Sequence, residues 1–354
     1  NTTTDGITNA GNFSTDGGTI KLDGNYPTGT ENTALGDTAL DSVQAGGNYN
    51  VVLGSRAGTN ITTGDNNVGV GAYALCDIQT NSQNVAIGTE TLKKNTASNN
   101  TAVGYISLRC NTSGCQNTAV GSEALKTNTT ANNNTAVGHC SLTLNTTGTR
   151  NTGTGKSSLQ ANTTGSCNSG HGMYALYNNT EGGNNVAVGT CSLFTNTTAD
   201  NNTAVGLCSL YANTTGSENT AVGTYALDAN TTGAKNTAVG KNAGSAITTG
   251  TFNDIFGRSA GFDLTTGDYN VAVGSGSLAN LTTTNDNTAV GHNALNTVVT
   301  GTQNTAVGTC ALHNTTVNCG TAVGYQALKG NTTGDKNTAV GRNSANNNTT
   351  GSDN

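Results

Sequence analysis

Tryptophan is absent from this 354-residue chain, proline and methionine occur once each, and aromatic residues make up 4% of it. A globular core of that size needs large side chains, yet hydrophobic residues of all kinds reach only 33%. Charged residues are equally sparse at 10%, with a net charge of −6 spread along the chain. There is no basic run and no interleaving of basic with aromatic residues, so nucleic acid is not expected as a partner. No apolar stretch approaches the roughly eighteen residues of a membrane span, so membrane insertion is not expected either. The low charge also argues against an ordinary disordered chain, because Val, Ala and Leu recur at fixed positions.

What the chain has in quantity is glycine, 49 residues of it, and a repeat. Nineteen segments of about seventeen residues follow one another from Asn32. The best copies read N-T-A-V-G-x-x-A/S-L-x-x-N-T-T-G-x-x, as in Asn202–Glu218 and Asn219–Lys235. Twelve consecutive intervals, from Asn100 to Asn304, are seventeen residues each. A unit this short cannot fold alone and must stack on its neighbours. Two helices would not fit in it, and helices would not carry Gly and Asn at this density. The expected fold is therefore all-β: a parallel β-solenoid, or β-roll, of 19 turns with about 17 residues per turn. Residues 1–31 lack the register and are expected to cap or connect the solenoid, which occupies 32–354. The chain opens at Asn1 without Met and closes at Asn354, where a twentieth repeat would begin. It is therefore expected to be a processed product or a segment of something longer.

Counting the leading Asn as position 1, Gly stands at position 5 in all nineteen copies and Asn at position 1 in eighteen, with Gly320 in the other. These residues and the Gly at position 15 are expected to form corners: Asn202, Gly206, Gly216, Asn219 and Gly223 in two central copies. Two short strands are expected between the corners, T-A-V at positions 2–4 and another near positions 7–9. Alternation puts positions 2 and 4 on one side and position 3 on the other. The larger residues, Val205, Leu210, Val222 and Leu227, are assigned to the core. The small residues at position 3, Ala204 and Ala221, are assigned to a contact between chains. Two adjacent copies, Asn151–Gly155 and Asn168–Gly172, lose both the Val and the Ala, so a kink or frayed spot is expected there. The copies starting at Asn236 and Asn253 replace the Leu by Gly244 and Gly261 and bring Phe252, Ile255, Phe256 and Phe262, which suggests a local apolar cluster.

In this register, N-T-A-V-G…A-L…N-T-T-G at Asn202–Gly216 resembles the repetitive shafts of bacteriophage tail fibres, particularly those of marine phages. Gly17–Thr30 resembles the segment that precedes such repeats. The T-A-V-G core is also similar to the S-V-A-I-G motif in the heads of trimeric autotransporter adhesins. Those heads are left-handed parallel β-rolls. The resemblance implies a left-handed, homotrimeric attachment fibre, on the virion or otherwise outside the cell. Its partners would be a host surface glycan or receptor and other fibre or virion proteins.

Residues that could carry chemistry are few. Of nine cysteines, Cys140, Cys191, Cys208 and Cys310 share position 7 and are read as small semi-buried side chains. Cys110 and Cys115 flank an N-T-S-G corner and could staple it as a disulfide. With no C-x-x-C pair, a zinc site is not expected. The four histidines are scattered, and His171 is the best candidate for a metal ring in a trimer. G-T-G-K-S at Gly153–Ser157 imitates the end of a phosphate-binding loop, but Arg150 stands where its first Gly should be. The N-x-T sequons read as turn residues. Paired carboxylates and Ser-His-Asp sets do not recur, so neither catalysis nor a cofactor is expected. A cell-surface adhesin and a self-assembling extracellular filament stand as alternatives to the tail-fibre shaft.

Overall fold

A computed structural model of the chain describes residues 29–297, 300–314 and 316–354. The expected N-terminal connector, 1–31, lies almost wholly outside these residues. The described chain is a single β-solenoid. Nineteen three-residue strands, β1 (Thr33–Leu35) to β19 (Thr338–Val340), each come from one coil, and each pairs in parallel with the strand of the next coil. The register never slips: Ala204 faces Ala221, and Ala221 faces Ala238. Coils of eighteen or sixteen residues keep it too, with Thr33 opposite Val51 and Thr305 opposite Thr321. The extra or missing residue is absorbed outside the strand.

Only one strand forms per coil, and the second, expected near positions 7–9, is replaced by a tight turn. The burial pattern explains why. Neighbouring residues of a strand point to opposite sides, yet positions 8 and 9 are both buried, as in Ser209–Leu210 and Ala226–Leu227. The chain turns both inward by placing positions 7 and 9 in the left-handed region, with φ of 51° at Cys208 and 49° at Leu210. Left-handed backbone crowds a β-branched side chain, which accounts for Leu rather than Val at position 9. The arc still bonds along the rod. Cys208 N–H donates back to the Thr190 carbonyl at 3.0 Å, and Leu210 N–H donates forward to the Ala226 carbonyl at 3.0 Å.

The core contains Ala at position 3, Ala or Ser at 8 and Leu at 9, together with Asn at positions 1 and 12. This corrects the assignment of faces. Ala204 and Ala221 are fully buried, whereas Val205 and Val222 are half-buried on the outer face of the strand. The interior is too narrow for Val. At Gly69, which occupies position 3, an added Cβ would already lie 3.2 Å from Leu75 Cδ1 of the same coil. Two coils do carry a larger residue at position 3, Val52 and Ile255, and both have Gly in place of Leu at position 9. A Cβ on Gly58 would lie 3.2 Å from Val52 Cγ2, and one on Gly261 would lie 3.1 Å from Ile255 Cδ1. Volume lost at one wall is returned by the other.

Buried polar ladders tie the coils together. At position 1, Asn219 Nδ2 donates to the Gly233 carbonyl of its own coil at 2.8 Å, and Asn219 Oδ1 accepts from the Asn236 N–H of the next coil at 2.9 Å. At position 12 the side-chain amides stack from Asn95 to Asn230, each Nδ2 donating to the Oδ1 before it, as from Asn213 to Asn196 at 2.9 Å and from Asn230 to Asn213 at 2.8 Å. The next coil carries Ile247 at this position. Asn230 Oδ1 is accordingly left buried without a partner. Thr at position 13 adds a third ladder, for example Thr214 Oγ1 to the Thr231 carbonyl at 3.0 Å.

The central coils are not frayed. β8 (Thr152–Thr154) and β9 (Ser169–His171) pair residue for residue with each other and with their neighbours. Ser141 Oγ occupies the space left by the missing methyl of Gly153 and donates to its carbonyl at 3.0 Å. Ser158 does the same for Gly170 at 2.9 Å. Outside, Thr154 Oγ1 and His171 Nδ1 lie 2.6 Å apart, so a polar contact replaces the lost Val pair.

Candidate interaction surface

Since the interior is filled, recognition falls to the outer faces, which three features distinguish. The first is the outer side of the strands. Position 2 carries Thr or Val in all coils but two, and position 4 carries Val in thirteen of nineteen, with Leu35, Leu53, Ile87, Thr154, His171 and Phe256 in the rest. Val120, Val188, Val273, Val307 and Val323 are 37–38% exposed. Nineteen strands give thirty-eight such positions, and only Asp254 and His171 among them are ionisable. The result is a continuous ridge of mostly β-branched side chains beside a row made mainly of hydroxyls, with a repeat of about 4.8 Å set by strand spacing.

The second feature is aromatic. Tyr177, Phe194 and Tyr211 share position 10 of three consecutive coils. Their rings stack at 5.1 and 5.2 Å with interplanar angles of 5° and 10°. Tyr174 meets Tyr177 edge-on at 5.4 Å. A second stack, Phe252 on Tyr269 at 5.0 Å, lies at position 17 and is topped by Lys235 Nζ, 5.0 Å from the Phe252 ring. Ring faces in both stacks are turned toward one another along the axis, which makes them braces between coils. The expected apolar cluster around Asn253 is divided in the same way. Ile247, Ile255 and Leu264 are buried, while Phe252, Phe256 and Phe262 lie outside at 40–43% exposure.

The third feature is a small ionic patch. Glu90 pairs with Lys93 at 3.0 Å and with Arg109 at 2.6 Å. The hydrogen bond from Lys93, supported by Arg109, holds the Glu90 carboxyl below the usual range. Lys93 Nζ also lies 4.8 Å from the Tyr73 ring. Asp228 behaves oppositely: burial raises its pKa.

The corner residues take distinct roles. Gly206 and Gly223 have φ of 137° and 141°, and a Cβ on Gly206 would lie 2.5 Å from the Gly223 carbonyl oxygen. Gly216 has no left-handed backbone. It is small because a Cβ there would fall 2.1 Å from the Gly233 oxygen. Asn202 and Asn219 are not left-handed either, which corrects the expected corner. The left-handed residue is the one before each, Asn201 (φ 60°) and Glu218 (φ 62°). The Asn is kept for its side-chain bonds, not for its backbone. Leu210 and Leu227 are buried. Sequence reasoning missed the left-handed positions 7, 9 and 17, because their side chains follow no Gly or Asn rule.

Cys110 and Cys115 are free thiols, as are the other seven cysteines, so the expected staple is not formed. Cys191 and Cys208 neighbour each other along the rod, and burial pushes the Cys208 thiol up, as it does Cys76 and Cys140. Such thiols are poor nucleophiles. Among the described residues, no three His, Cys, Asp or Glu side chains converge as metal ligands, and no helix is long and apolar enough to cross a membrane. The loop-like string Gly153–Ser157 begins inside β8 and runs into a turn, with no helix behind it. Comparison of the chain with protein-family models and with curated proteins returns no match.

Proposed function

We propose that this chain is a non-catalytic structural fibre, the repeat shaft of a phage tail fibre that holds a receptor-binding region away from the virion. Its unbroken register of nineteen parallel strands carries this reading. Every coil bonds to the next through backbone and buried side chains, so length is the property the sequence specifies most closely. At about 4.8 Å per coil, the eighteen steps between first and last strand give a rod of roughly 85 Å. In the assembled fibre three copies run side by side, outside the cell, and further fibre or virion proteins join the ends. The host glycan or receptor is met by the tip and by the exposed polar corners.

Antibodies raised against the purified repeat test this reading on virions and cells from the source material, by immunogold electron microscopy. Label along tail fibres is expected. Label on the cell envelope would move the assignment to a surface adhesin, and label confined to the cell interior would overturn both.

A further inference from the structure

We infer that the outer strand face, Thr at position 2 and Val at position 4, is where copies of this chain pack against one another. Position 3 is unavailable for that role, since Ala204 and Ala221 are fully buried within their own coils. The outer face has the right chemistry. Val205, Val222 and Val239 follow one another in exact register, each directly opposite the next. Thr203, Thr220 and Thr237 form the parallel row beside them. A periodic ridge of this kind fits the groove of an identical face, as side chains of two packed sheets interdigitate about 10 Å apart.

Two observations select a second copy as the occupant. The first is charge. With Asp254 and His171 as the only ionisable residues among the thirty-eight outward strand positions, the face offers almost no charge to phosphate, a charged lipid headgroup or an acidic peptide. The second is area. A strip three residues wide, about 10 Å, and roughly 85 Å long covers on the order of 800 Å². This is about what each partner of a stable complex contributes. A short ligand would cover a fraction of it, whereas another rod of the same repeat covers all of it. The inference rests on the shaft reading only for the number of copies.

The test is the solution mass of the whole chain by light scattering and sedimentation, alongside far-UV circular dichroism. The intact chain is expected as a multimer. In the variant V205K/V222K/V239K, like charges would be brought together across the contact, weakening association on the order of 100-fold or more. The same β-signal with a monomer mass is the supporting result. If those lysines disturb folding, V205T/V222T/V239T serves instead, because Thr154 already stands at position 4 without loss of register. It is expected to weaken association by a smaller factor. As a control, T215K/T232K, on the exposed corners, should leave the mass unchanged. A monomeric intact chain at tens of micromolar, or strand-face variants that keep the full multimer mass, would overturn the interface. Neither outcome depends on where the antibodies label, so the two readings can fail separately.

Discussion

One asparagine per coil performs two bonding tasks that are usually divided. Its amide nitrogen closes the coil on the position-15 carbonyl, and its oxygen receives the backbone N–H of the next coil. Ser is too short to span both, and Asp keeps the acceptor but loses the donor and buries a charge. Replacing Asn219 by Ala would leave the buried Asn236 N–H without this partner and take from the Gly233 carbonyl one of two donors, since Asn230 Nδ2 also donates to it at 2.9 Å. Leaving the buried N–H unsatisfied costs about 1–3 kcal/mol. Asn219→Ala should therefore weaken the rod locally, with amide exchange at Asn236 accelerated at least 10-fold and coils far from it unaffected. Uniform acceleration along the chain, or none, would contradict the two-bond role. The same logic explains the orphan at Asn230. The amide ladder runs one way, so its last oxygen receives no amide from the next coil, and this one ends where Ile247 interrupts it.

At the scale of the coil, the period and the strand at positions 2–4 were legible in the sequence, but the turn that stands in place of a second strand was not, nor were the inside and outside of the strand that forms. Alternation says that Thr203 and Val205 share a face opposite Ala204. It cannot say which face is the core, and the usual preference for burying the larger residue points the wrong way here. The deciding quantity is the width of the coil, fixed by the turn at positions 6–10 whose left-handed residues carry no Gly or Asn signature. Once Leu210 is turned inward from that arc, only a methyl fits against it. The exceptions encode the same rule, and they predict a double-mutant cycle. Gly261→Leu alone should overpack against Ile255, costing about 1–3 kcal/mol. Ile255→Ala alone should open a cavity, costing about 2–5 kcal/mol. The double variant recreates the common Ala–Leu pair at a backbone already near the required φ, 55° at Gly261. It should recover most of both losses in thermal denaturation. Additive losses would show that the two walls do not share one space.

Across the whole molecule, nearest-neighbour bonding makes the rod modular. Each strand pairs only with the strands before and after it, and the ladders of positions 1, 12 and 13 advance one coil at a time. Stability is then a sum of similar coil and interface terms, with no long-range contact that a shortened rod would lose. Removing residues 202–252 takes out three coils in register and joins the coil of Asn185 directly to that of Asn253. The end of the amide ladder then moves from Asn230 to Asn196, which meets Leu264 instead of Asn213, so the number of unpaired oxygens is conserved. The shortened chain should keep its β-signal per residue and lose roughly 14 Å of length by small-angle scattering. Removing only 202–209, in contrast, takes half a coil and, at the seventeen-residue spacing, sets outward Val188 against inward Asn213 and inward Leu193 against outward Glu218. That chain should lose cooperative unfolding, because inward and outward positions no longer coincide at the junction. If both deletions behave alike, the seventeen-residue coil is not the unit of this fold.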